Sequence, residues 1–404
     1  MEDSETAVEE TVAVEAKPSK HTYANAIDYE SEGGLEREVE VSVVLPAKDE
    51  EETIGVCIDK IKKVFDNHNI IGEIIVSDSS QDRTPIIARD HGAKVVTPDR
   101  KGYGYAYIFA FKYANGKFIV MGDADDTYDF FEIPAIIEPL KVGEADLVIG
   151  SRFRGKMEKG AMPWLHKWIG NPILTWFLNF FFKVGVSDAH CGFRATTREA
   201  LRKLDLCTDG MEFASEMMKE SAVKGLRIKE VPISYYKRKN KNSKLSSFSD
   251  GWRHLKFMLM YAPNYLFIFP GTTLLLIGLT WIVFASLKIF IGYFPGVHSM
   301  VAGSLLIIAG YQAIFFGLFT KAYQGKGMPR FLTLEKGAVA GAILILIGAI
   351  YASYLVLRWV GGGPNYLPPI ESDIISFTLI VLGLETFFSS FMLSITAMKK
   401  KREY

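Results

Sequence analysis

The sequence has little cysteine and no excess charge of either sign. Only 3 of its 404 residues are cysteine, and 46 basic side chains balance 46 acidic ones. Cys57, Cys191 and Cys207 are widely spaced and form no pattern of zinc ligands, which excludes a disulfide-stapled secreted scaffold and predicts free thiols in a reducing compartment. The net charge of zero argues against nucleic acid as the main partner, because such a partner usually requires a basic excess.

The sequence also lacks the composition of disordered and fibrous chains. Hydrophobic residues make up 49% of it, so a chain of this length can bury a large core in two or three domains. No apolar run follows a basic start, so we expect no signal peptide.

Charge is nearly missing from one part of the chain. Between residues 265 and 396 charged side chains are rare, and most other charges lie before this region. A bilayer core needs about 20 apolar residues per helix, and four runs are long enough. They cover approximately residues 265–287, 298–320, 338–360 and 374–396, the last with Glu385 near its middle. The pattern predicts a membrane domain of four helices over 265–398.

Lysine and arginine predict the orientation of these helices. Basic residues lie in the loop 321–337 and in the tail 399–404, whereas the connections 292–297 and 361–373 contain none. Basic loops stay on the cytoplasmic side of a membrane. We therefore expect an integral membrane protein with its soluble domain and both termini in the cytoplasm.

Three segments outside the apolar runs have a distinctive composition. Residues 1–40 are acidic, poor in aromatics and without apolar periodicity, which predicts a disordered tail. Residues 163–183 are rich in Trp, Phe and Leu but interrupted by polar residues, which favours an interfacial helix, with a buried core helix as the alternative. Residues 250–264 predict a second amphipathic helix directly before the membrane.

From Val41 to residue 249, strand and helix patterns alternate. The strands are nearly continuous apolar runs, which is typical of an α/β fold with a mostly parallel sheet and helices on both faces. Ligands of such sheets bind beyond the carboxyl ends of the strands. Polar residues at these ends are therefore the first candidates for a site.

Asp123-Ala124-Asp125 directly follows the apolar strand Phe118–Met121. Two carboxylates at this spacing can share a divalent cation with a diphosphate, and hard oxygen ligands suit Mg²⁺ or Mn²⁺. A solvated turn is the alternative, because Asp-x-Asp alone is common. Two earlier strands also end in acidic residues, which favours a site.

Several motifs resemble the family 2 glycosyltransferases of the GT-A fold. Val43–Glu50 resembles their first strand, Asp78–Thr84 their second motif and Asp123-Ala124-Asp125 their metal-binding motif. Four further segments resemble the dolichyl-phosphate and other polyprenyl-phosphate mannose and glucose synthases of this family. They are Gly150–Arg152, Asp188–Arg194, Gly210–Phe213 and Ser243–Ser246. The resemblance covers about residues 41–264.

The resemblance implies a role for individual residues. Those implied to bind the nucleotide sugar are Pro46, Ala47, Glu50, Asp78, Lys101, Gly102, Asp123, Ala124, Asp125, Arg238 and Lys244. Those implied to act in catalysis are Asp123, Asp125 and Arg152, and the two aspartates would also hold the metal. Those implied to bind the acceptor phosphate are Arg152, His166 and Arg194. Thr127 stands where mannose synthases have a glutamine.

The implied activity is transfer of glucose or mannose from a nucleotide sugar, a UDP- or GDP-hexose, to a polyprenyl phosphate such as dolichyl phosphate. A lipid phosphate is largely dianionic at neutral pH, so its oxygen needs no general base. We expect a single displacement with inversion at the anomeric carbon. Two alternatives stay open: a transferase that extends a saccharide on a hydroxyl, and a membrane scaffold or lipid transporter with an inactive sugar-nucleotide domain. Self-association also stays open.

Overall fold

A computed structural model describes residues 38–239, 247–325, 333–362 and 367–401 of the chain. The chain divides into two compact units, Met1–Gly251 and Trp252–Tyr404. Lys244 lies outside the described residues, as do nearly all of the predicted acidic tail and the last residues of the predicted basic tail.

The first unit contains a seven-stranded sheet with the strand order β3-β2-β1-β4-β6-β5-β7. The strands are β1 (Val41–Ala47), β2 (Gly72–Asp78), β3 (Lys94–Val96), β4 (Phe118–Met121), β5 (Leu147–Ser151), β6 (Arg194–Thr197) and β7 (Ile228–Pro232). Only β6 runs antiparallel to its neighbours, β4 and β5. The predicted mostly parallel α/β sheet is confirmed, whereas the polar β6 and the half-exposed β7 carry no apolar run and were not predicted.

Helices flank this sheet in two groups. They are α1 (Ile54–His68), α2 (Thr84–Asp90), α3 (Tyr103–Phe111), α4 (Ile133–Lys141), α5 (Asn171–Phe182), α6 (Arg198–Lys203) and α7 (Phe213–Val223). Helix α1 packs with α2 and α4, and α3 packs with α7. The spacing of Ile54, Ile58, Ile61 and Phe65 places these buried side chains on one face of α1.

The second unit begins within α8 (Ser247–Tyr261), which starts three residues before the predicted amphipathic helix. The four long helices are α9 (Phe269–Ser286), α10 (Val297–Tyr323), α11 (Leu334–Gly361) and α12 (Ile370–Lys401). Each contributes a stretch long and apolar enough to cross a membrane, with mean hydropathy between 1.8 and 2.3. The predicted four long apolar helices are confirmed, and they support an integral membrane protein.

Small residues and hydroxyl groups join the membrane helices. A Cβ on Gly278 of α9 would lie 2.5 Å from the carbonyl oxygen of Gly303 on α10, so only glycine allows this approach. The hydroxyls of Tyr311 and Thr386 share a hydrogen bond of 2.7 Å between α10 and α12. Membrane helices associate through close packing and polar contacts of this kind, since lipid offers no hydrophobic driving force.

Candidate active site

The site lies at the carboxyl ends of β1, β2 and β4. Ala47 pairs with Asp78 at the ends of β1 and β2, and Pro46 pairs with Ser77. The chain leaves β4 through Gly122 and reaches Asp123 and Asp125, which we call the carboxylate pair. The backbone carbonyl of Ala124, between them, accepts a 2.8 Å hydrogen bond from the Thr53 hydroxyl and so ties the turn to the start of α1.

One oxygen of each member of the carboxylate pair is held by the protein. Oδ1 of Asp123 accepts a 2.8 Å hydrogen bond from the Tyr103 hydroxyl. Oδ1 of Asp125 accepts one of 2.6 Å from the Thr127 hydroxyl and one of 3.2 Å from the Thr127 amide. Burial and the negative charge of Asp125 raise the pKa of Asp123 to about 7. The two carboxylates therefore repel each other in a buried setting, which a bound cation would relieve.

The remaining oxygens fit a divalent cation. A Cβ on Gly192 would lie 2.9 Å from Oδ2 of Asp123, so the glycine leaves space beside this oxygen. Oδ2 of Asp125 lies 3.6 Å from Nη1 of Arg238. No cluster of three acidic, histidine or cysteine side chains suited to a metal occurs among the described residues. Two carboxylates with phosphate and water oxygens form a ligand set that suits Mg²⁺ or Mn²⁺.

Of the residues expected at the nucleoside, Glu50 is linked to the carboxylate pair through Arg238, and Asp78 ends β2 at the same edge of the sheet. Asp78 is buried, which raises its pKa, and its Oδ1 accepts a 2.6 Å hydrogen bond from the Ser80 hydroxyl. Glu50 is also buried and forms an ion pair with Arg238. Lys101 is exposed before the start of α3, and a Cβ on the next residue, Gly102, would lie 2.2 Å from the carbonyl oxygen of Asp209.

Arg152 is buried at the end of β5 and bound to Asp188. Its Nε and Nη2 donate hydrogen bonds of 2.7 and 2.8 Å to the two carboxylate oxygens of Asp188. Burial lowers the pKa of Arg152, but the charge of Asp188 outweighs this effect and raises the pKa well above its ordinary value. Its guanidinium also lies 5.3 Å from the ring centre of Tyr235. Arg152 therefore adds positive charge near Asp123 from a fixed position.

Arg194 is only 2% exposed, and its guanidinium donates to three backbone carbonyls, those of Cys191, Ala214 and Ala189. This geometry does not support the expected contact with an acceptor phosphate, because the guanidinium is buried and directed at backbone carbonyls. His166 begins a π-helical turn before α5, and its Nε2 is buried without a hydrogen-bond partner in the described part of the chain. No contact in that part joins His166 to the carboxylate pair.

Sequence reasoning missed several residues that shape the site. Tyr103 orients Asp123, and Gly192 leaves space beside it. The hydroxyl oxygen of Tyr128 accepts a 2.8 Å hydrogen bond from the Gly192 amide and so holds this glycine in place. The buried carboxylate of Glu216 accepts hydrogen bonds from the amides of Cys207 and Thr208. Only Gly192 stood within a recognised motif, and a lone tyrosine carries no signal.

Two family models match the chain. The model described as glycosyl transferase family 2 matches residues 42–205, and the model of the family 2 C-terminal transmembrane region matches residues 325–397. The low-salt glycan biosynthesis hexosyltransferase Agl6 of Haloferax volcanii is 44% identical over 364 residues, which are 87% of this chain and 88% of that protein. The chain belongs to glycosyl transferase family 2.

Other relatives match about half of this glycosyltransferase. A dolichyl-phosphate hexose transferase of Haloferax volcanii is 33% identical over 214 residues, or 52% of this chain and 89% of that protein. The glucosyl-3-phosphoglycerate synthase of Mycobacterium tuberculosis, solved with Mn²⁺, UDP and glucosyl-3-phosphoglycerate, is 26% identical. It covers 55% of this chain and 80% of its own, with a TM-score of 0.46.

Proposed function

We propose that this membrane glycosyltransferase moves a hexose from UDP or GDP to a polyprenyl phosphate. The carboxylate pair at the carboxyl edge of the sheet, with Arg238 beside it, is the observation that carries the proposal, because this arrangement suits a nucleotide diphosphate and its cation. The similarity to a dolichyl-phosphate hexose transferase supports a lipid-phosphate acceptor.

Asp123 and Asp125 would hold Mg²⁺ or Mn²⁺, which when bound neutralises charge on the departing diphosphate. Tyr103 fixes the orientation of Asp123, and Thr127 fixes that of Asp125. Arg238 provides a guanidinium whose planar fork suits phosphate oxygens. These groups stabilise the leaving nucleotide, and an acceptor phosphate supplies its own anionic oxygen for a single displacement with inversion.

The hydrogen bonds of Glu216 support an acceptor that needs no base. Its buried carboxylate accepts from the amides of Cys207 and Thr208, so it stabilises the loop before α7. A sugar hydroxyl would require a base to remove its proton, whereas a lipid phosphate is largely dianionic at neutral pH.

The surface of α5 supports an acceptor that lies in a membrane. Trp164 and Trp168, just before this helix, are 66% and 64% exposed, and Trp176 within it is 57% exposed. Aromatic side chains of this kind favour the headgroup region of a bilayer. We propose that residues 163–183 form an interfacial helix, and that the basic loops keep the catalytic unit and both termini in the cytoplasm.

The test is transfer of labelled sugar by purified full-length protein. UDP-glucose, GDP-mannose and related donors are each supplied with dolichyl or undecaprenyl phosphate and Mn²⁺. We expect one donor to give a lipid product that mild acid cleaves and mild base does not. Asp125→Asn should abolish the product, while Asp90→Asn, an exposed acid at the end of α2, should not. Label found only on a saccharide hydroxyl would refute the proposed acceptor.

A further inference from the structure

Arg238 lies between two acidic residues of the site. Its guanidinium donates to Oε1 of Glu50, and its Nη1 lies 3.6 Å from Oδ2 of Asp125. The side chains of Arg238, Glu50 and Asp125 are 24%, 9% and 16% exposed, so solvent screens these charges only in part. Nε of Arg238 is buried and has no hydrogen-bond partner within the described ranges. The arginine is thus paired but not fully satisfied.

Contacts of Tyr236 and Lys239 hold the chain on either side of Arg238. The amide of Tyr236 donates a 2.8 Å hydrogen bond to the carbonyl of Thr127. Lys239 forms a 2.8 Å ion pair with Asp126, the residue after the carboxylate pair, and Lys60 binds the other oxygen of Asp126 at 2.6 Å. These contacts attach the segment around Arg238 to the turn that carries the carboxylate pair, independently of the partners of its guanidinium.

We propose that Arg238 is the resident counter-ion of the carboxylate pair, and that it opposes binding of a metal ion alone but favours binding of a metal together with a nucleoside diphosphate. This inference rests on the proposed function. A guanidinium within about 4 Å of a dication raises its free energy by like-charge repulsion. A diphosphate reverses the sign, because the same guanidinium can then donate to phosphate oxygens.

The consequence is a thermodynamic coupling between the two ligands. If Arg238 disfavours the cation in the absence of nucleotide and binds the phosphates in its presence, each ligand increases the affinity for the other by the same factor. The enzyme would then select a metal–nucleotide complex rather than a free cation. Arg152 cannot exchange in this way, because both oxygens of Asp188 already bind it.

Mn²⁺ and nucleotide affinities of the full-length protein test the coupling. Free Mn²⁺ is measured by electron paramagnetic resonance without nucleotide, and UDP and GDP binding by calorimetry with saturating Mn²⁺. We expect Arg238→Gln to bind Mn²⁺ alone about fivefold more tightly, as lost repulsion requires. It should bind the nucleotide about tenfold more weakly, as a lost charged hydrogen bond requires.

Two further variants complete the design. Arg238→Lys keeps the charge and should retain the Mn²⁺ affinity of the wild type. Arg227→Gln removes an arginine of an exposed ion pair before β7 and should change neither affinity. Unchanged or weaker Mn²⁺ binding by Arg238→Gln, in a protein that unfolds at the wild-type temperature, would overturn the inference alone. Wild-type protein that binds neither UDP nor GDP with Mn²⁺ would overturn the proposed function and this inference together.

Discussion

Arg152 and Arg238 both contribute positive charge near the carboxylate pair, yet their surroundings differ. Arg152 is 7% exposed, and its Nε and Nη2 both donate to the carboxylate of Asp188. Arg238 is held by one hydrogen bond to Glu50 and a longer contact with Asp125. The comparison teaches that an arginine assigned to phosphates by resemblance can either be fixed in the fold by its partners or remain able to exchange them. Burial and the number of committed donors distinguish the two.

Replacement of Asp125 by Asn should have the largest effect. It removes one of the two charges that would hold the cation while keeping the size of the side chain. We expect hexosyl transfer to fall by about 10³-fold, comparable to the loss of a group that stabilises charge in a transition state. Initial rates with the labelled donor measure the fall. Activity within a few fold of wild type at saturating Mn²⁺ would contradict the metal assignment.

Arg152→Met should lower the stability of the fold rather than change the coupling between metal and nucleotide. The variant leaves the carboxylate of Asp188 buried without its partner, which costs about 3–5 kcal/mol for a buried ion pair. The unfolding midpoint in denaturant should drop accordingly. In the double variant Arg152→Met with Asp188→Leu, no charge is left buried alone, so much of the loss should be recovered. A single variant as stable as wild type would remove the distinction between the two arginines.

Much of this frame could be predicted from the sequence. The sheet could be identified from the continuous apolar runs of β1 and β4, because a strand buried on both faces is apolar throughout. Its carboxyl edge could be identified from the acidic residues at the ends of β2 and β4. Strand β6 was missed, since Arg194-Ala195-Thr196-Thr197 has the polarity of a loop. Its place between β4 and β5 depends on pairing with distant strands, which no local pattern encodes.

The partners of individual side chains could not be predicted. The resemblance assigned Arg152, Arg194 and Arg238 to phosphates alike, because a motif records the residue type and not its contacts. In the fold, Arg194 donates to two backbone carbonyls of the loop before β6 and to one in α7. Such contacts depend on the tertiary packing of those segments, which is why geometry was required to separate the arginines.

The carboxylate pair should also give the protein a specific dependence of stability on pH. The pKa of Asp123 is raised to about 7 by burial and by Asp125, from an ordinary value of 3.8. Between these values the folded state holds a proton that the unfolded state has released, so stability falls as the pH rises through this window. Unfolding midpoints measured with a chelator should show this fall in wild type and a flatter profile in Asp123→Asn. Identical profiles would mean that Asp123 ionises normally.

The smallest effect is expected for the ion pair between Arg227 and Asp146, which is exposed and lies at the start of β5, away from the carboxyl edge. Hydrogen bonds from Arg227 lower the pKa of Asp146 below its ordinary value of 3.8. The pair therefore stabilises the fold above that value and loses its effect as the pH falls through the lowered pKa. Arg227→Gln should lower the unfolding midpoint slightly at pH 7 and match wild type in acid, because solvent screens an exposed pair. If Arg227→Gln lowered the unfolding midpoint at pH 7 as much as Arg152→Met, burial would not explain the difference between Arg152 and Arg238.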